Sequence, residues 1–129
     1  MQIFTVSFFG HRQIDNFFEI ELLLEKLIRE LMLSKEYVEF LVGRDGDFDQ
    51  LVSSTVLKCK RTVRDDNSSL IWIMPYLTAE YRNNEEAYNK YYDEVEICSD
   101  IFEINVSTNI DNINGKSLRN RLLICIIGF

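Results

Sequence analysis

The chain has 129 residues, of which 47% are hydrophobic and 27% are charged. This length suits a single domain, and this composition excludes a disordered or collagen-like chain. The 14 Lys and Arg residues against 21 Asp and Glu residues give a formal net charge of −7. Such an acidic chain is not expected to bind duplex nucleic acid over a broad surface.

The cysteines and the termini bear on cellular context. No apolar run approaches the roughly 20 residues of a membrane-spanning helix, and the N-terminus lacks signal-peptide features. Cys59, Cys98 and Cys125 lie far apart, and His11 is the single histidine, so no metal site is expected. We predict that the protein resides in a reducing cytoplasm, that its thiols are buried and that it has no membrane partner. The sequence leaves open whether the protein forms a homo-oligomer.

The first half of the chain alternates apolar strands with amphipathic helices. A strand is predicted at Ile3–Phe9, followed by a helix whose apolar positions recur every three or four residues from Phe17 to Leu31. Asn16 and Glu19 form a capping-box pattern at the start of this helix. A second strand at 37–42 leads through a GRDG loop into a second helix, whose apolar stripe is Phe48, Leu51, Val52, Val56 and Cys59.

The second half continues the alternation less regularly. Leu70–Met74 is a continuous apolar strand, which indicates burial on both faces. Further elements are predicted as a polar helix at 80–89, short strands at 94–97 and 101–104, a short helix at 115–121, and a final strand at 122–127. The pattern predicts an α/β fold: one three-layer Rossmann-like domain over residues 1–129, with a mainly parallel sheet of about five strands.

Three polar segments directly follow predicted strands. They are Gly10-His11-Arg12, Gly43-Arg44-Asp45-Gly46-Asp47 and Pro75-Tyr76. Because ligands of open parallel sheets bind at the carboxyl ends of the strands, we expect these segments to converge on one site.

Each of these segments has chemistry suited to an anionic or sugar-containing ligand. Arg12 carries a fork of donors for phosphate or carboxylate, and the glycines permit close approach of backbone N–H groups at a helix start. Asp47 or Asp49 could accept a hydrogen bond from a ribose hydroxyl. The alternative is that these loops are ordinary polar connections, with Asp47 capping the helix and Asp49 compensating its dipole.

Two further clusters are less specific. Arg119 and Asn120, with Arg121, precede the last strand and could clamp a phosphate, or they could form a solvated helix end. The tyrosines at 81, 88, 91 and 92 suit a packing surface better than a base-stacking platform, because their surroundings are acidic.

Four motifs together resemble the YpsA-like branch of the SLOG superfamily. They are VSFFGHR (6–12), GRDGDFD (43–49), LIWIMPY (70–76) and SLRNR (117–121), and they span nearly the whole chain. That branch is related to the LOG phosphoribohydrolases and to the DNA-processing protein A family. The resemblance implies a Rossmann-like pocket for a nucleotide or nucleotide-derived ligand, with site residues Gly10, His11, Arg12, Gly43, Gly46, Asp47, Asp49, Arg119 and Asn120.

The chain departs from this family at the catalytic signature. The LOG enzymes carry a PGGxGTxxE motif, whereas this chain has a single proline and no PGG. The RN pair here also runs directly into LLICIIGF, without the acidic residue and loop that usually follow it. We therefore expect a non-catalytic sensor or binding module for a nucleotide-like small molecule. The alternatives are a nucleotide hydrolase with an N-glycosidic or phosphate target, and a protein-interaction domain without a ligand.

Overall fold

A computed structural model describes residues 2–10, 12–97 and 122–127 of this chain. Four strands lie side by side in parallel: β1 (Ile3–Phe9), β2 (Tyr37–Val42), β3 (Ser68–Met74) and β4 (Glu94–Ile97). β5 (Leu122–Ile127) pairs in parallel with the other side of β1, so the order is β4-β3-β2-β1-β5. The predicted α/β class with parallel pairing is confirmed, and the order is Rossmann-like in that the sheet grows in both directions from β1.

Two long helices connect the first three strands. α1 (Phe17–Ser34) follows β1, and α2 (Asp47–Thr62) follows β2 and begins where the sequence predicted. The two helices contact each other along the same face of the sheet. Sequential strands that advance in one direction place their crossover helices on one face, because each crossover is right-handed.

The predicted single helix at 80–89 is wrong. The structure has two short helices, α3 (Ala79–Asn83) and α4 (Glu85–Tyr91), separated by Asn84. Asn84 has φ −137° and ψ 32°, outside the helical region, and its side chain donates to the carbonyl of Glu80. Thr78 begins α3 by accepting a hydrogen bond from the N–H of Tyr81.

Alternate strand positions divide the sheet into two faces. Even-numbered residues such as Val6, Phe40 and Trp72 join the apolar sides of α1 and α2 in the main core. The predicted α2 stripe is buried throughout, with Val52, Val56 and Cys59 fully inaccessible, and burial raises the pKa of the Cys59 thiol. The helix predicted at 115–121, which a three-layer arrangement would use, lies outside the described residues.

The caps of the long helices differ from the predicted ones. Asn16 occupies the N-cap of α1, but its side chain makes no capping hydrogen bond. Gly46, not Asp47, is the N-cap residue of α2, so Asp47 does not cap the helix. Asp47 and Asp49 do lie in its first turn, and Lys60 and Arg61 in its last, as the helix dipole favours.

Candidate functional site

A cavity of about 320 Å³ opens at the carboxyl ends of β1, β2 and β3. This volume is near the lower limit of the roughly 300–1,000 Å³ typical of small-molecule sites. The cavity lies beside the switch point between β1 and β5, over the neighbouring strands. Its lining includes strand ends and the segments that follow them: Ser7, Phe8, Leu41, Val42, Gly43, Arg44, Asp45, Asp49, Trp72, Ile73, Met74, Pro75, Tyr76, Thr78 and Glu80.

Asp49 brings a half-buried carboxylate to this cavity from the first turn of α2. Its Oδ2 accepts a hydrogen bond from the Asp45 N–H at 3.2 Å, which ties the loop after β2 to the helix. Burial raises the pKa of Asp49, and the nearby Asp45 carboxylate adds to that effect. The Asp45 N–H and the charge of Arg12 act in the opposite direction. The result is an acceptor-rich group that is partly shielded from water.

Gly43 provides the space that this carboxylate occupies. A Cβ at Gly43 would lie 3.0 Å from Asp49 Oδ2, so a larger residue would crowd the carboxylate. Asp49 therefore holds the loop after β2 in place, in addition to lining the cavity.

Arg44 lines the cavity, but its guanidinium is held by the region after β3. Nη1 donates to the hydroxyl of Tyr92 at 3.0 Å, and Nε lies 3.4 Å from Glu80 Oε1 without hydrogen-bond alignment. The guanidinium also lies 4.8 Å from the ring centre of Tyr88 and 5.6 Å from that of Trp72. One guanidinium N–H is thus used within the protein, whereas the buried Nε has no hydrogen-bond partner among the described residues.

The tyrosines form a packing cluster around Trp72. Tyr81, Tyr88 and Tyr92 lie 5.8, 5.1 and 5.4 Å from the Trp72 ring, mostly in edge or tilted arrangements. The hydroxyl of Tyr88 donates to Glu80 at 2.6 Å. This geometry agrees with the packing interpretation of the tyrosines, and it attaches α3 and α4 to the end of β3.

The loop after β1 packs against the start of α2. The N–H of Asp47 donates to the carbonyl of Arg12 at 2.7 Å, so this helix N-terminal donor is engaged within the chain. A Cβ at Gly46 would lie 2.6 Å from the Cα of Arg12, and one at Gly10 would lie 2.2 Å from the ring of Phe48. Gly10 and Gly46 therefore serve close packing between two segments.

The structure brings together some of the predicted site residues and not others. Gly43, Arg44, Asp49 and the exposed Tyr76 line the cavity, whereas Gly10, Arg12, Gly46 and Asp47 belong to the adjoining junction. Three further predicted residues, His11, Arg119 and Asn120, lie outside the described part of the chain.

Sequence reasoning missed the polar residues on the second face of the sheet. Thr5 and Glu39 are register partners on β1 and β2, and Thr5 Oγ1 donates to Glu39 Oε1 at 3.4 Å. Both residues are buried, and Ser7, two positions along β1, reaches the cavity lining. The available signal was polar residues at alternate positions of apolar strands, TVS in β1 and the glutamate of YVEFLV in β2.

Comparison with known proteins assigns no family to this chain. No protein-family model, curated protein sequence or solved structure matches the chain. Within residues 2–10, 12–97 and 122–127, no helix is long and apolar enough to cross a membrane. The same residues contain no group of three His, Cys, Asp or Glu side chains placed to hold a metal ion.

Proposed function

We propose that this protein binds a nucleoside or nucleotide-derived small molecule in the cavity at the carboxyl ends of β1, β2 and β3. The observation that carries the proposal is the half-buried Asp49 carboxylate, which lines a cavity of about 320 Å³ at the edge where parallel sheets bind ligands. The resemblance to the YpsA-like branch of the SLOG superfamily supports the same class of ligand.

The charge of the lining favours the sugar part of such a ligand. Asp45, Asp49 and Glu80 contribute three carboxylates, while Arg44 is already bound to Tyr92 and lies against Glu80. Carboxylates accept hydrogen bonds from vicinal hydroxyls but repel phosphate. A ribose therefore suits the cavity, and a phosphate would extend out toward the exposed Arg12, whose charge acts on Asp49.

The experiment compares two aspartates of the same helical turn. Binding of nucleosides and their 5′-monophosphates is measured by calorimetry for wild type, Asp49→Asn and Asp47→Asn. Loss of a charge-assisted hydrogen bond costs about 1.5–3 kcal/mol, so Asp49→Asn is expected to weaken binding at least about tenfold. Asp47 is exposed and is not among the cavity-lining residues, so Asp47→Asn is the matched control with unchanged affinity.

A second comparison isolates the contact to the sugar. A 2′-deoxynucleoside is expected to bind wild type more weakly than its ribose counterpart. The difference should be smaller for Asp49→Asn, whose amide oxygen still accepts a hydrogen bond but carries no charge. Absence of binding by every member of the panel, or equal losses for Asp49→Asn and Asp47→Asn, would overturn the proposal.

A nucleotide hydrolase is the second candidate, and the raised pKa of Asp49 is the observation that favours it. Carboxyl groups with raised pKa values are suited to act as general acids. Release of free base or of ribose 5-phosphate is followed by chromatography during the same incubations. We expect binding without turnover, because the PGG-type loop of the related hydrolases is absent from the sequence. Turnover that Asp49→Asn abolishes would establish the hydrolase instead.

A further inference from the structure

Glu80 brings to the cavity a carboxylate that the protein holds through only one of its two oxygens. Its Oε1 accepts a hydrogen bond from the Tyr88 hydroxyl at 2.6 Å and lies 3.4 Å from Arg44 Nε. Oε2 accepts no hydrogen bond from the described residues, and the side chain is 51% exposed. The second oxygen is therefore an acceptor in a defined position that is available to a ligand.

The lining near Glu80 suits the base of a nucleoside better than its sugar. At the end of β3 the lining continues through Met74, Pro75 and Tyr76, and Tyr76 is 68% exposed. An exposed aromatic ring at the edge of a cavity offers a surface on which a planar base can stack. A carboxylate beside such a surface can accept a hydrogen bond from the edge of the stacked base.

Asp49 and Glu80 lie toward different strands of the same cavity. Asp49 is bonded to the loop after β2, and the charge of Arg12 from the β1 loop acts on it. Glu80 follows β3 and is bonded to Tyr88 of α4. Because β2 separates β1 from β3, the ends of those two strands lie about 10 Å apart. A nucleoside is of similar length, so one whose ribose lies at Asp49 can extend its base to Glu80.

We propose that Glu80 determines the base specificity of this cavity by accepting a hydrogen bond from an exocyclic amino group. The inference rests on the proposed function, in which the Asp49 carboxylate binds the ribose. Carboxylates are suited to exocyclic amino groups of bases, such as those of adenosine and cytidine. A nucleoside without this amino group leaves the Glu80 oxygen without its partner, so we expect it to bind about tenfold more weakly.

The experiment pairs each amino nucleoside with the analogue in which hydrogen replaces the amino group. Adenosine is compared with purine riboside, and cytidine with pyrimidin-2-one riboside, by calorimetry. For wild type, the amino member of the tighter-binding pair is expected to bind about tenfold more tightly than its analogue. Glu80→Gln keeps an oxygen for the Tyr88 hydroxyl but loses the charge, so this ratio should fall below about threefold. Glu80→Ala should bring it to about one.

Glu85 supplies the matched control. It is exposed, it lies five positions after Glu80, and it is not among the cavity-lining residues. Glu85→Gln therefore makes the same change of charge outside the cavity, and it should leave both the affinity and the ratio unchanged. Circular dichroism verifies that the variants keep the fold.

The outcomes separate this inference from the proposed function on which it rests. Binding that depends on Asp49 but is equally tight for both members of each pair would overturn the role of Glu80 and leave the proposed function in place. Equal losses for both members in Glu80→Gln would do the same, because they would assign Glu80 only the structural task of holding Tyr88 and Arg44. Absence of binding by every nucleoside would overturn both.

Discussion

Two polar, glycine-containing regions follow neighbouring strands in this protein, yet the chain uses them differently. At the junction of the β1 loop with the start of α2, Gly10 and Gly46 allow segments to touch, and the Asp47 N–H is bonded to Arg12. After β2, Gly43 leaves room for the Asp49 carboxylate beside an open cavity. Glycine next to a strand end therefore marks close approach. The approaching group is a buried ring or backbone at the first region, and the carboxylate end of the Asp49 side chain beside the cavity at the second.

The largest effect is expected at Gly10, where the approaching group is the buried ring of Phe48. Gly10→Ala would place a Cβ 2.2 Å from Phe48 Cγ, so the loop or the ring must move. Overpacking of this kind costs typically about 1–3 kcal/mol, and we expect the upper part of that range in the free energy of unfolding, measured with urea. The cost should shrink in a Phe48→Leu background. An equal cost in both backgrounds would contradict the assigned contact.

A smaller effect is expected at Gly46, with Gly43 as the comparison. Gly46 has φ −167°, which any residue adopts, so only the 2.6 Å approach to the Cα of Arg12 opposes Gly46→Ala. We expect a loss of about 1–2 kcal/mol in unfolding free energy. Gly43→Ala meets the end of a side chain at 3.0 Å and should cost less than about 1 kcal/mol, while it weakens nucleoside binding. A reversed order of the two stabilities would remove the distinction between the regions.

The smallest effect concerns the ionisation of Asp49. Burial raises its pKa above the ordinary 3.8, so the folded protein holds this proton more tightly than the unfolded chain. The free energy of unfolding therefore falls as pH rises through the interval between the two values. Asp49→Asn removes that loss, so its stability relative to wild type should be higher at pH 7 than at pH 3. Urea unfolding at both pH values measures this, with Asp47→Asn as the control, and a pH-independent difference would contradict it.

Several elements were predictable because their signals are local. The apolar run of β1, the spacing of α1 and α2, and the acidic first turn of α2 each depend on neighbouring residues along the chain. The helix at 80–89 was mispredicted because Asn84 interrupts it, and the aromatic contacts of Tyr81 and Tyr88 with Trp72 hold both pieces on one side. Those contacts join residues that the sequence separates.

The candidate site shows the same contrast between features with a local sequence signal and features that depend on contacts between distant residues. Placement of Gly43, Arg44, Asp49 and Tyr76 after strand ends was sufficient to locate them near one edge of a parallel sheet. Whether each group faces the cavity or another segment depends on which loop lies against it in three dimensions. The hydrogen bond from the Arg44 guanidinium to the hydroxyl of Tyr92, 48 positions away, has no local signal in the sequence.

The sequence by itself determined the α/β class, the positions of the principal strands and long helices, and the edge of the sheet where polar loops gather, because periodicity and strand ends are local properties. Only the tertiary structure decided that Gly10 and Gly46 serve packing, that Arg44 is held among aromatic rings, and that Asp49 lines the cavity. The physical reason is that occupation of a donor, an acceptor or a space depends on contacts between distant segments, and those contacts exist only once the sheet has formed.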